Sequence, residues 1–235
     1  MHERRRLLLM RHGAVEYFEE SGRILHPDHV PLTAAGIAQA RAAGQVLAQA
    51  QVRVDRVICS GLLRTRMTAQ YAMAAAKIDV PLEEWPQLQE IRGGRLAAIP
   101  EPQLREAFLS AFRGAVPLQT RFLGGETIGE LFARTIPALQ QLLDDPNWDT
   151  ALLVLHGGVN RALISWLLTG QQLFLGGLEQ APGCLNVIDV GGRHNILRVL
   201  NYCPLDVLQA ATRASTMELL YARYQSVRTR ARTPE

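Results

Sequence analysis

The sequence predicts an α/β fold, a three-layer sandwich with a mostly parallel central sheet and helices on both faces. Three observations predict it. Short apolar runs at residues 7–10, 57–59 and 151–155 alternate with longer segments of helical spacing. The runs are continuously apolar instead of alternating, as strands buried on both faces are. Each run also stops at polar or charged residues, and the carboxyl ends of parallel strands are where such sheets bind ligands.

The elements follow in order. Residues 7–10 (Leu-Leu-Leu-Met) read as a buried strand ending in Arg11-His12-Gly13. A helix is expected over 33–49, with Ile37, Ala40, Gly44 and Leu47 on one face and Thr33 as its N-cap. Val57, Ile58 and Cys59 form a second strand that leads through Ser60 and Gly61 into a helix over 62–76. There Ser60 reads as a helix cap, with a pocket hydroxyl as the other option. Prolines 86, 100, 102 and 117 break the pattern between 81 and 125, which reads as an insertion over one end of the sheet with a helix at 103–113. A helix over 127–143 should kink at Pro137. The third strand, 151–155, runs into His156-Gly157-Gly158 and a helix over 159–168. Two further strands, 184–190 and 195–200, flank the turn Gly191-Gly192, and the tail from 205 to 230 reads as helix.

Composition narrows the class. The 235 residues are 48% hydrophobic, enough for a sizeable core, and suit one domain with an insertion. A net charge of +3 is too mild to argue for nucleic acid. The basic ends, Arg4 to Arg6 and Arg223, Arg228, Arg230 and Arg232, read as solvated termini. Cys59, Cys184 and Cys203 offer neither a disulfide framework nor a zinc pair, so a reducing, cytoplasmic setting is expected. No apolar run is long enough for a signal h-region or a membrane span, so no membrane partner is expected.

The chemistry-bearing residues gather at the three strand ends. His12 and His156 each follow a buried strand and precede a glycine, which lets a ligand approach the backbone. Arg11 and Arg64 supply planar, permanently charged forks suited to the oxygens of a phosphoryl group. The helix start after Ser60 adds backbone N–H groups to the same anion.

The pieces Leu8-Leu9-Met10-Arg11-His12-Gly13, residues 32–40, Ser60 through Ala69, Leu88-Gln89-Glu90-Ile91, Gly124-Gly125-Glu126-Thr127 and His156-Gly157-Gly158-Val159 occur in one order. As an ordered set running from residue 7 to about 201, they resemble the histidine phosphatase superfamily, which includes the cofactor-dependent phosphoglycerate mutases. The resemblance implies a phosphoglycerate mutase-like fold in a single domain over 1–235. An insertion or lid at about 92–123 and a C-terminal helical extension at about 205–235 would decorate it. It implies His12 as the nucleophile that becomes a phosphohistidine. Arg11, Arg64, His156 and Gly157 would hold the phosphate, and Glu90 would be the acid that protonates the leaving oxygen. Glu16 and Asp28 remain alternatives for the acid. Glu126 is expected to order the site by hydrogen bonds or to cap the next helix.

The chain departs from the family pattern at Ala14, Phe18, the stretch Arg23-Ile24-Leu25-His26, and Ala97-Ala98. Ala14, Phe18 and the 23–26 stretch fall on substrate contacts of the mutase kind and Ala97-Ala98 on the lip of the pocket, while the phosphate-binding residues are spared. The expected activity is therefore phosphomonoester hydrolysis on a small phosphorylated metabolite, with no metal and no organic cofactor. A mutase-type phosphotransferase and a catalytically weakened phosphate-binding module are the alternatives. A metal-dependent phosphoesterase built on His26, Asp28 and His29 is a further one. The basic C-terminal helix either packs on the domain or contributes to a homodimer.

Overall fold

The computed structural model describes residues 4–19, 25–210 and 213–232. Its centre is a six-stranded sheet in the order β3-β2-β5-β1-β7-β8. The strands are β1 (Arg4–Arg11), β2 (Arg56–Cys59), β3 (Leu82–Glu84), β5 (Thr150–Leu155), β7 (Leu185–Gly191) and β8 (Ile196–Tyr202). β3, β2, β5 and β1 run parallel, while β7 and β8 are antiparallel additions at one side. The sheet is thus mostly parallel, as the continuous apolar runs predicted.

Alternate side chains of one strand feed two separate cores, because a strand has a period of two. Leu7 and Leu9 pack with α4 (Ile128–Asp144) and α5 (Gly157–Thr169). Leu8 and Met10 pack with α1 (Ala34–Gln49) and α2 (Leu63–Ala76). Since β1 is buried on both faces and flanked on both edges, the loop that leaves its carboxyl end is firmly anchored.

The helix starts are chemically defined. Thr33 caps α1 by accepting the Gly36 N–H. Thr127 and Glu130 cap α4 reciprocally, Glu130 accepting from the Thr127 N–H at 2.7 Å and Thr127 Oγ1 from the Glu130 N–H at 3.1 Å. Glu126 is therefore not the cap. α4 continues through Pro137 as one helix to Asp144.

A third apolar cluster lies outside the sheet's two cores. It joins Phe18 from the loop after β1, Leu104, Phe108 and Leu109 from the short helix α3 (Leu104–Leu109), and Met217, Tyr224 and Val227 from α6 (Thr216–Arg232). The tail helix therefore begins at Thr216, not at 205, and residues 205–209 form turns. Helix in the insertion is likewise shorter than the expected 103–113. The rest of that segment is 3₁₀ turns and β4 (Ala115–Val116), which pairs with β6 (Phe174–Leu175).

The basic ends are structured. Arg4, Arg5 and Arg6 lie in β1; the Arg5 guanidinium sits 4.1 Å from the centre of the Trp148 ring, and Arg6 pairs with Asp189 at 2.8 Å. Arg223 pairs with Glu16 at 3.0 Å and Arg228 with Glu101 at 3.6 Å. The side chains of Arg230 and Arg232, like residues Arg23 and Ile24, lie outside the described ones. Among the described residues, no helix is long and apolar enough to cross a membrane. All three cysteines are free and buried.

Candidate active site

His12 follows the last residue of β1 and is 2% exposed. Gly13 lets this turn press against α1: a Cβ there would stand 2.3 Å from the Gly36 carbonyl oxygen. The Gly13 N–H donates to Thr68 Oγ1 at 3.1 Å, which ties the turn to α2 as well. His12 Nδ1 lies 2.8 Å from the Gly13 carbonyl oxygen, an acceptor only. The ring proton is thereby fixed on Nδ1, leaving the Nε2 lone pair as the reactive one. Burial first, then the charges of Arg64 and Arg11, hold the His12 pKa well below its usual 6.5, so the ring is neutral.

His156 lies at the end of β5, fully buried, its ring centroid 5.3 Å from that of His12. Its Nε2 is 2.7 Å from Ser60 Oγ, and Ser60 Oγ is 3.0 Å from Thr65 Oγ1. Ser60 is thus a pocket hydroxyl and not a cap. Gly61 takes φ +82°, the chain turns there, and α2 begins only after Leu62. Burial, followed by the charges of Arg64, His12 and Arg11, pushes the His156 pKa down too.

The two arginines are held from outside the pocket. Arg11 Nη1 donates to the Gln180 carbonyl and, at 3.1 Å, to Thr216 Oγ1. Arg64 Nη1 donates to the Pro27 carbonyl. Arg11 Nε, Arg64 Nε, His156 Nδ1 and Asn160 Oδ1 are buried with no hydrogen-bond partner among the described protein atoms. An orphaned buried polar donor is costly, on the order of 1–3 kcal/mol and more for a charged group, and two guanidinium groups whose charges bear on His12 suit an anion.

Glu90 completes the ring. Its carboxylate accepts the Gly158 N–H at 3.1 and 3.2 Å in the first turn of α5, and the Ile91 N–H at 3.0 Å. Any side chain at position 158 would close to 2.7 Å from Glu90 Oε1, so the glycine is required for this approach. Neither alternative acid is comparably placed, since Glu16 is engaged by Arg223 and Asp28 is exposed beside His26.

The residues named from sequence thus come together: Arg11, His12, Arg64, Glu90, His156 and Gly157. The side chains of His26, Asp28 and His29 are exposed, although the Pro27 carbonyl among them reaches Arg64, and no set of three His, Cys, Asp or Glu among the described residues could hold a metal. Sequence reasoning missed the supports. Arg134 binds the carbonyls of Gln87, Gln89 and Glu90 at 2.8, 2.6 and 3.0 Å while Glu126 neutralises it at 2.7 Å, fixing the Glu90 loop. Glu126 thus orders the site indirectly. Arg161, whose pKa burial pushes down to about 10, holds the Gly157 carbonyl at 3.2 Å. Gln180 and Asn186 exchange amide hydrogen bonds of 2.8 and 2.9 Å behind Arg11.

Known proteins resemble this chain in sequence and fold. The family model for the histidine phosphatase superfamily (branch 1) matches residues 7–202. The adenosylcobalamin/alpha-ribazole phosphatase of Salmonella typhimurium is 32% identical over 203 residues, covering 83% of this chain and 96% of that protein. A protein of Salmonella paratyphi A described as a probable phosphoglycerate mutase is 32% identical over 162 residues, covering 68% of this chain and 73% of its own length. Among solved structures, the alpha-ribazole phosphatase of Shigella flexneri superposes with a TM-score of 0.63 at 26% identity, covering 83% of this chain and 96% of that one. A mycobacterial glucosyl-3-phosphoglycerate phosphatase complexed with VO3 gives a TM-score of 0.66 at 25% identity, covering 84% of this chain and 98% of that one. The chain belongs to the histidine phosphatase superfamily.

Proposed function

We propose that this protein is a metal-independent phosphomonoesterase that carries the phosphoryl group of a small metabolite on His12. The observation that carries the reading is the pair of buried guanidinium nitrogens without a protein partner, Arg11 Nε and Arg64 Nε, whose charges bear on a neutral, oriented imidazole. His12 Nε2 attacks phosphorus, the P–N bond forms, and the P–O bond to the leaving group breaks. Glu90 gives its proton to the leaving oxygen. Water then attacks the phosphohistidine, returns a proton to Glu90, and orthophosphate departs. One hard displacement is divided into two. Arg11, Arg64, His156 and the Gly157 N–H hold the oxygens whose bonds to phosphorus stay intact and balance their charge. Three free buried cysteines support a cytoplasmic setting.

The first substrate class to screen is the one named in the relative with 96% of its length matched, alpha-ribazole phosphate. Similarity to a mutase-named protein supports a second reading, transfer back to a sugar acid, which would require a bisphosphorylated primer. The deciding assay is hydrolysis of p-nitrophenyl phosphate with chelator present, comparing wild type with His12→Ala. Activity should persist in chelator and fall at least about a thousandfold in the variant. Activity that survived the substitution would remove His12 as nucleophile.

A further inference from the structure

Thr216 lies fourteen residues beyond the segment that matches the family model, yet its hydroxyl touches the phosphate pocket. Its Oγ1 is 2.6 Å from Glu179 Oε1, an acceptor, and 3.1 Å from Arg11 Nη1, a donor. The hydrogen bonds therefore run one way, from Arg11 to Thr216 to Glu179. Glu179 also accepts the Thr216 N–H at 3.3 Å, and its other oxygen meets Arg161 Nη2 at 3.2 Å. One carboxylate thus serves two arginines, Arg161 directly and Arg11 through the threonine.

Thr216 is held firmly enough to direct its neighbour. Ser215 and Glu218 cap the start of α6 reciprocally at 2.7 and 3.3 Å. Met217, Tyr224 and Val227 anchor the helix in the third apolar cluster, and Arg223 ties it to Glu16. With Nη1 occupied by Thr216 and Gln180, Arg11 keeps its buried Nε free of protein partners.

We propose that Thr216 is a positioning residue, through which the C-terminal helix aims Arg11 at the phosphoryl group with Glu179 as the fixed acceptor behind it. The phosphate pocket is complete only when α6 is docked. Arg11 grips the phosphoryl in ground and transition states alike, so losing its alignment weakens binding more than turnover. The inference rests on the proposed phosphatase site.

The test measures orthophosphate binding by calorimetry, together with p-nitrophenyl phosphate kinetics, in wild type, Thr216→Val and Thr216→Ser. Thr216→Val keeps the shape and removes the hydroxyl. Its orthophosphate Kd and its KM should rise about tenfold, the size of one charge-assisted hydrogen bond, with kcat within about threefold. Thr216→Ser restores the hydroxyl and should return both to near wild type. Should Thr216→Val prove too unstable to study, Glu179→Gln is expected to weaken phosphate in the same direction. Wild-type phosphate affinity in Thr216→Val, or no recovery in Thr216→Ser, would overturn the proposal. Calorimetry needs no turnover. A wild type that binds phosphate but hydrolyses nothing therefore sinks the phosphatase reading alone, and one that binds no phosphate sinks both.

Discussion

The proposed phosphate pocket and the third apolar cluster, its proposed cover, are built by opposite means. In the pocket, polar groups are buried at the ends of β1, β2 and β5, each fixed by hydrogen bonds to backbone or to a neighbouring side chain. The cover is a small apolar cluster shared by the loop after β1, α3 and α6, with ion pairs at its rim. Thr216 of α6 meets Arg11, and the Pro27 carbonyl, in the loop after β1, meets Arg64. On the proposed function, the difference separates the part that would hold chemistry from the part that would hold choice. A pocket whose atoms are positioned by the sheet serves any phosphate ester, whereas a cover packed from loops can change partners without disturbing it.

Breaking the pocket alone should have the largest effect. Arg64→Met removes a buried charge with an orphaned Nε while keeping the apolar stem. We expect kcat/KM to fall roughly 100- to 1000-fold with the melting temperature unchanged or raised, since no folded partner compensates that charge fully. A large loss of melting temperature would mean that the arginine holds the fold and not a ligand.

Breaking the cover alone should invert that pattern. Phe108→Ala removes the aromatic centre of the third cluster, where Phe108 meets Tyr221 and Tyr224 at centroid distances of 5.3 and 5.5 Å. Core truncations of this kind cost about 3–5 kcal/mol of the structure they hold. Hydrogen exchange of α3 and α6 should accelerate, while orthophosphate affinity falls no further than in Thr216→Val. A greater loss would show that the cover shapes the pocket through more than Thr216.

The smallest effect sharpens the comparison through pH. His12 and His156 are held below their unfolded value of 6.5 by burial and by the arginines. As pH falls through 6.5 the unfolded chain therefore takes up protons first, and stability declines toward acid. Orthophosphate supplies the missing negative charge, so saturating phosphate should lessen that decline in melting temperature. Equal slopes with and without phosphate would place the anion away from the histidines.

Much of this was legible in the sequence, for a physical reason. A parallel strand buried on both faces is an unbroken apolar run, and Arg11, His12 and His156 come immediately after such runs. What escaped was whatever depends on long-range contact. β3 is a short edge strand, and β4 and β6 have two residues each, too few for any pattern to accumulate. Leu205, Val207 and Leu208 extended the apparent tail helix, although in the fold they are exposed turn residues after Pro204. Ser60 read as a cap because strand, serine and helix succeed one another. The left-handed turn at Gly61 carries it away from the helix start instead. Arg134, Arg161 and Thr216 had no local signature, since each matters for a partner distant in the chain.

The place of β1 in the sheet has a consequence for how the protein is born. It is paired on one edge with Thr150–Leu155 and on the other with Leu185–Gly191, so the first strand made is the one that must wait longest for neighbours. α1 and α2 can cover Leu8 and Met10 early, but Leu7, Leu9 and both edges of β1 wait for residues 128–191. Pairings this distant fold slowly and leave apolar strands exposed to aggregation. Refolding yield, more than equilibrium stability, should therefore limit recovery of the active enzyme from denaturant.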